Sequence, residues 1–388
     1  MMLDTHEIAA LAAWRHALHR APELSGEERQ TAATVAAMLR EAGADAIHEG
    51  LGGHGVAAEF RSGVPGPRVM LRCELDALPI EETSTAEHRS RVPGKAHLCG
   101  HDGHMTLLAA VALRLSKQRP PRGTVILMFQ PAEETGAGAR AVVSDPAFKG
   151  LAPDLVFAIH NMPGVPLGQV AIRKGPVSCA SRGMHLRLKG RPSHAAEPEK
   201  ALSPMRALSR LMPALADLAE GAPGEPEFAL VTVTHARMGE PAFGVTPGEA
   251  DLYVTLRTLT DARMERLVSG AEALARRMAA DEGLTVEIGY EDVFDATTNH
   301  PAAADIVTRA LEALGVRHGP EPLPMRASED VGQFGAGAPL AFMLLGAGED
   351  VAPVHTPTYD FPDELIPLGA ALYDAIVREA LSPGRDGT

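Results

Sequence analysis

The chain has 388 residues, 45% hydrophobic and 22% charged, with a formal net charge of −14. Its length exceeds what one compact core serves, so two domains are expected, and the negative balance argues against nucleic acid or anionic membranes as partners. No apolar run approaches the ~20 residues that cross a bilayer, and three scattered cysteines imply no disulfide framework and a reducing, cytoplasmic setting.

The N-terminus, MMLDTHEIAALAAWRHALHR, has periodic apolar residues, acids early and bases late. It reads as an amphipathic helix and not as a signal peptide. Residues 8–20 and 26–43 are expected to be helical, 69–75 a strand and 104–118 a helix. Residues 125–129 and 155–159 are further strands. Short apolar strands alternating with helices predict an α/β domain whose mainly parallel sheet is covered on both faces.

The pattern changes near residue 180. Strand 184–189, helix 204–220, strands 228–236 and 251–259, helix 261–281 and strand 285–290 follow in turn. This β-α-β-β-α-β order predicts an inserted ferredoxin-like α+β domain. A helix at 301–315 and a buried strand at 340–345 then resume the first style. The expected organisation is a catalytic domain in two parts, 1–180 and 292–388, around a lid or dimerisation domain at 181–291. The final SPGRDGT is expected to fray.

Ligands of open α/β sheets bind outside the carboxyl ends of the strands. Asp76 follows strand 69–75, and Glu133 and Glu134 follow 125–129 after the break at Pro131. His160 follows 155–159. Cys99 and His101 lie on a glycine-punctuated loop before helix 104–118, and His355 follows strand 340–345. Five segments therefore converge on one sheet edge with the thiol, imidazole and carboxylate donors that Zn, Mn, Co or Ni needs.

In order, LRCELDALPI, CGHDGHM, QPAEETGAGA, IHN, GRPSHAAEP, SED and VHTPTYDFPDE resemble the motifs of the binuclear metal-dependent amidohydrolases. That family includes hippurate hydrolases, auxin–amino-acid conjugate hydrolases and N-acyl-amino-acid amidohydrolases. The resemblance runs from about Trp14 to the C-terminal helix. It implies that Cys99, His101, Glu134, His160 and His355 bind two divalent metal ions, Zn, Mn, Co or Ni. It further implies that Glu133 is the general base and that Asp76 orients a ligand. His194 matches a histidine acting at the metals, and Arg257 an arginine for the substrate's carboxylate. The implied substrate is a small N-acyl-amino acid or conjugate. A homodimer or higher oligomer through an edge strand of the inserted domain is plausible.

There are departures. Gly244 stands where the family often has Asn, Ala201 and Ser203 where Gly and Asp are common, and Glu74 where Asp is usual. His104 is expected to be structural at a helix start. His54, His88, His97, His235, His300 and His318 carry no expected chemistry, and Cys73 and Cys179 are expected to be inert. The alternatives are a di- or carboxypeptidase of the same architecture and a catalytically silent metal-dependent binding protein.

Overall fold

The computed structural model describes residues 3–382. Met1, Met2 and the C-terminal GRDGT with its preceding proline lie outside the described residues, so the fraying expected of the tail does too, apart from Ser382. The chain divides into two compact units. The first comprises the chain up to Val177, Thr297–Leu323 and the chain from Asp330 on. The second comprises Ser178–Ala296 and Pro324–Glu329.

Helix α1 (Thr5–His19) opens with a reciprocal cap. The Asp4 carboxylate accepts from the Glu7 N–H at 2.8 Å, and Glu7 accepts from the Asp4 N–H at 3.0 Å. Helix α2 (Arg29–Glu41) follows, then strands β1 (Ala46–Leu51), β2 (Gly55–Arg61) and β3 (Arg68–Glu74). Helix α3 (His101–Lys117) leads to β4 (Thr124–Gln130), and β5 (Leu155–Pro163) closes the first half.

These strands belong to an eight-stranded sheet that also includes Leu340–Gly348. In it β4, β3, β5 and Leu340–Gly348 are neighbours in that order, and all three pairings are parallel. β1 and β2 add an antiparallel edge beside β4. The sequence reading lacks this hairpin because Gly50, Gly52, Gly53 and Gly55 interrupt its apolar run.

Period-two alternation decides what each strand buries. Val69, Leu71 and Cys73 of β3 join Val125, Leu127 and Phe129 of β4 in one core with α1, α3 and the C-terminal helix Leu365–Ala380. Arg72 and Gln130 alternate to the opposite face, where they are nonetheless fully buried.

In the second unit, Ala180–Lys189 and Glu249–Thr258 are the central strands of a four-stranded antiparallel sheet. Ala229–Met238 and Thr285–Phe294 form its edges. Helices Met205–Ala216 and Asp261–Asp281 pack on it through Leu208, Leu211, Met264 and Leu267. The sequence reading gives 324–329 to the first domain. The structure groups these residues with the second unit, because Cys179 N–H donates to Ala327 O at 3.0 Å and Ser178 bridges Met325. Among the described residues, no helix is long and apolar enough to cross a membrane.

Candidate metal centre

The candidate donors lie in the first unit, at the carboxyl ends of its parallel strands. Helix α3 starts at His101, three residues earlier than the sequence reading has it. This is possible because Gly100 caps it at φ +94°, the left-handed region that favours glycine. A Cβ at Gly100 would collide with the Asn161 side chain.

Ala132 has φ +50° and His355 has φ +64°, two non-glycine residues in the left-handed region. The first lies immediately before Glu133 and Glu134. It bends the strand end into a turn closed by Gly136 N–H on Glu133 O at 2.8 Å and Gly138 N–H on Ala132 O at 3.0 Å. That curvature brings both neighbouring carboxylates close to His101. His355 is anchored through its own N–H, which donates to Leu98 O at 2.7 Å.

Cys99 Sγ is 3.3 Å from His160 Nε2 and 3.3 Å from His355 Nε2. His355 Nε2 is also 3.5 Å from Glu134 Oε2. His101 Nε2 is 3.8 Å from Glu134 Oε1. Four overlapping donor groups result among the described residues: Cys99, His101 and His160; Cys99, Glu134 and His355; His101, Glu133 and Glu134; and Glu74, His101 and His104. Within each, the donor atoms all lie within 4.8 Å of one another.

Carbonyls fix the imidazoles. The His160 Nδ1–H donates to Asn161 O at 2.7 Å, and the His101 Nδ1–H to Asp76 O at 2.8 Å. In the neutral form of each ring the lone pair is then on Nε2, the nitrogen aimed at the other donors. The buried Asp76 carboxylate accepts from Ser25 Oγ at 2.7 Å and from the Glu134 N–H at 3.0 Å. Its Oδ1 lies 3.5 Å from His101 Nδ1. Glu133 is buried, and its Oε1 accepts from the Asp330 N–H at 3.4 Å.

The donor set fits a cation. His101 Nε2 and Glu134 Oε1 are buried without a hydrogen-bond partner, which proteins ordinarily avoid. Burial pushes the Glu134 carboxyl up to about 7, against the pull of His101. Burial disfavours charge on His101, yet Asp76 and Glu134 together lift it to about 9. Burial and neighbouring histidines hold His160 well down. Donors crowded out of water in this way are what a divalent cation stabilises.

His104, expected to be structural, is held between two polar partners. Its Nδ1–H donates to Glu74 at 2.7 Å and its Nε2 accepts the Asn161 N–H at 3.1 Å. Glu74 also pairs with the fully buried Arg72, whose other nitrogens donate to Gln130 Oε1 at 2.8 Å and Asp330 Oδ1 at 2.6 Å. The sequence reading misses this supporting layer. The charged Arg72 and the paired Glu74 inside a buried strand are the signal that could have revealed it.

His194 and Arg257 are not among the residues gathered in the first unit. His194 is exposed on a two-stranded ribbon, paired with Val245, and its Nδ1 accepts the Ala196 N–H at 3.1 Å. Gly244 O accepts the Ala195 N–H at 3.0 Å, and a Cβ at Gly244 would meet open space. Arg257 donates to Arg326 O at 3.1 Å and to Ser328 Oγ at 2.9 Å.

A mainly parallel α/β sheet with thiol, imidazole and carboxylate donors near its carboxyl edge is the arrangement a metal-dependent hydrolase uses. Residues 70–379 match the peptidase family M20/M25/M40, and the chain belongs to that family. It is a metal-dependent amidohydrolase. The chain is 30% identical over 361 residues to a hippurate hydrolase of Campylobacter jejuni, covering 92% of this chain and 93% of that one. It is 31% identical over 371 residues to thermostable carboxypeptidase 2 of Saccharolobus solfataricus, covering 92% and 91%. Among solved structures, a dinuclear metal-binding M20 peptidase of Bacillus subtilis superposes with a TM-score of 0.82 at 25% identity, covering 97% and 99%.

Proposed function

We propose that this enzyme hydrolyses the amide bond of N-acyl-amino acids or similarly small conjugates, with Cys99, His101, Glu134, His160 and His355 holding two divalent cations. The observation that carries the ligand assignment is the pair of buried atoms without a hydrogen bond, His101 Nε2 and Glu134 Oε1, set among the other donors. The mixed sulfur, nitrogen and oxygen set suits Zn, Mn, Co or Ni. The substrate class is supported by similarity to a hippurate hydrolase.

Bound cations of this kind polarise a carbonyl and lower the pKa of water from ~15.7 towards ~7. Glu133 takes the proton of the attacking water and passes it to the departing amine. The Asp330 N–H on Oε1 orients that carboxylate. Asp76 fixes His101 and, through the Glu134 N–H, the turn that carries both glutamates. Arg257, steadied by Arg326 O and Ser328 Oγ, clamps the substrate's carboxylate. His194, from its own chain or a second copy, donates a hydrogen bond to the developing oxyanion, a contribution of ~10²–10³ in turnover. We further place the enzyme in the cytoplasm, on its buried cysteines, which form no disulfide among the described residues. We assign it a homodimer or higher oligomer through an edge strand of the second unit.

The test is a hydrolysis screen. Chelator-stripped protein is reloaded with Zn²⁺, Mn²⁺, Co²⁺ or Ni²⁺ and offered N-acetyl- and N-benzoyl-amino acids and dipeptides, with amine release as the readout. Turnover of the N-acyl compounds is expected. Cleavage of dipeptides alone would replace this reading with the carboxypeptidase one, which similarity to a thermostable carboxypeptidase favours. No turnover with any metal would leave a silent binding protein.

A further inference from the structure

Helix α1 carries none of the proposed ligands, yet its last turns reach two segments that do. Arg15 is 1% exposed. Its Nη1 donates to Asp102 at 2.8 Å and to Asp360 at 2.9 Å, and its Nε donates to Asp363 at 2.6 Å. Asp102 directly follows His101 in the first turn of α3. Asp360 and Asp363 lie on the segment that continues from His355. One guanidinium thus spans both segments, using the fork geometry that Lys lacks.

His19, one turn further along α1, adds a second brace. Its Nδ1 lies 2.9 Å from Asp102 Oδ2 and its Nε2 lies 3.2 Å from Glu82 Oε2. Two carboxylates on two ring nitrogens require both to be protonated. Against the burial that opposes its charge, Asp102 and Glu82 raise His19 to about 10. Glu82 itself accepts the Ser90 N–H at 2.7 Å, on the stretch of chain that runs on to Cys99.

A Cβ at Gly103 would run into the Phe361 ring, and one at Gly100 would lie 3.1 Å from the Tyr359 hydroxyl. The two glycines of Cys-Gly-His-Asp-Gly-His therefore let the segment after His355 seat directly on the start of α3. Tyr359 and Phe361 are fully buried there.

We infer that Arg15 and His19 of α1 are positioning residues that hold the Cys99–His101 and His355 segments in register for cation binding. The inference rests on the ligand assignment proposed above. The positioning role is distinct from ordinary packing: Arg15 clamps across the ligand segments, so its loss misplaces donors in a protein that still folds. Outer partners of metal ligands typically alter metal affinity by about 10–100-fold.

The experiment measures zinc affinity and stoichiometry on metal-stripped protein by competition with a chromophoric chelator. Far-UV circular dichroism and apo-protein melting are recorded in parallel. Folded Arg15→Met is expected to bind zinc about 10–100-fold more weakly, and Arg15→Lys to lose less. Wild-type zinc affinity in folded Arg15→Met, with only the apo melting temperature lowered, would overturn the inference and leave a packing role. Should Arg15→Met fail to fold, Asp360→Asn decides, since that partly exposed carboxylate removes one arm of the clamp from the His355 side. Weakened zinc binding there supports the inference, and unchanged affinity overturns it. Cys99→Ala is the control for the underlying reading. If it loses zinc while the clamp variants do not, only the positioning role fails. If it keeps full zinc, the ligand assignment itself fails.

Discussion

Replacing Asp330 by Ala removes the acceptor on which the buried layer behind the candidate metal centre converges. Its carboxylate takes hydrogen bonds from Arg72 at 2.6 Å, Gln130 Nε2 at 2.7 Å and the Ala139 N–H at 2.8 Å. Arg72 is fully buried and Asp330 is 1% exposed, so water cannot substitute for what is lost. Burial pushes the Asp330 carboxyl upward while Arg72 pulls it back. Removing one partner of such a pair typically costs about 3–5 kcal/mol. Arg72 keeps Glu74, which favours the lower end, but the Gln130 amide and the Ala139 N–H lose acceptors as well, at about 1–3 kcal/mol each when wholly unmet. These terms overlap, and about 4 kcal/mol is the working figure. For a unit of this size that corresponds to about 10 °C in melting temperature. Asp330→Asn keeps one acceptor oxygen and should lose roughly half as much. The assay is thermal unfolding of the metal-stripped protein followed by circular dichroism, which keeps cation binding out of the comparison. An Asp330→Ala protein melting within about 2 °C of wild type would show that this layer does not carry the stability assigned to it.

The neighbouring glutamates should give opposite signatures: Glu133→Gln keeps its metal by elemental analysis and loses turnover by about 10²–10⁴, whereas Glu134→Gln loses metal. Gly100→Ala forces a side chain into φ +94° against Asn161, so a loss of about 2 kcal/mol in urea unfolding and reduced metal content are expected. His19 gives a pH signature. Its pKa is raised from 6.5 to about 10 in the folded state, so the folded protein holds more protons than the unfolded one between those values. The stabilisation is complete below about pH 6.5 and is lost as pH rises towards 10. Melting temperatures from pH 7 to 10 should fall more steeply for wild type than for His19→Gln, and parallel slopes would remove His19 as the cause.

The parallel centre of the large sheet is legible because β3, β4 and β5 are nearly unbroken apolar runs separated by helical stretches. The hairpin β1–β2 is not, since four glycines dilute its pattern and its pairing is set by tertiary context. The donor residues are legible as residue types at strand ends. What surrounds them is not. Arg72 finds Asp330 across 258 residues and Arg15 finds Asp360 across 345, and no local periodicity encodes a partner that distant. The short stretch 324–329 is the same case in the fold: its membership of the second unit rests on long-range contacts with Ser178, Cys179 and Arg257. The left-handed backbone at Ala132 and His355 is equally silent in sequence, because neither residue type advertises it.

Cys99 and His355 lie 256 positions apart, yet their donor atoms are 3.3 Å from one another. Everything that forms the second unit is synthesised between them. A growing chain therefore carries Cys99, His101, Glu134 and His160 before the His355 that faces them exists. Premature termination anywhere upstream of that histidine yields a polypeptide with an incomplete donor set. On the ligand assignment proposed above, the complete donor set therefore waits for the synthesis of His355.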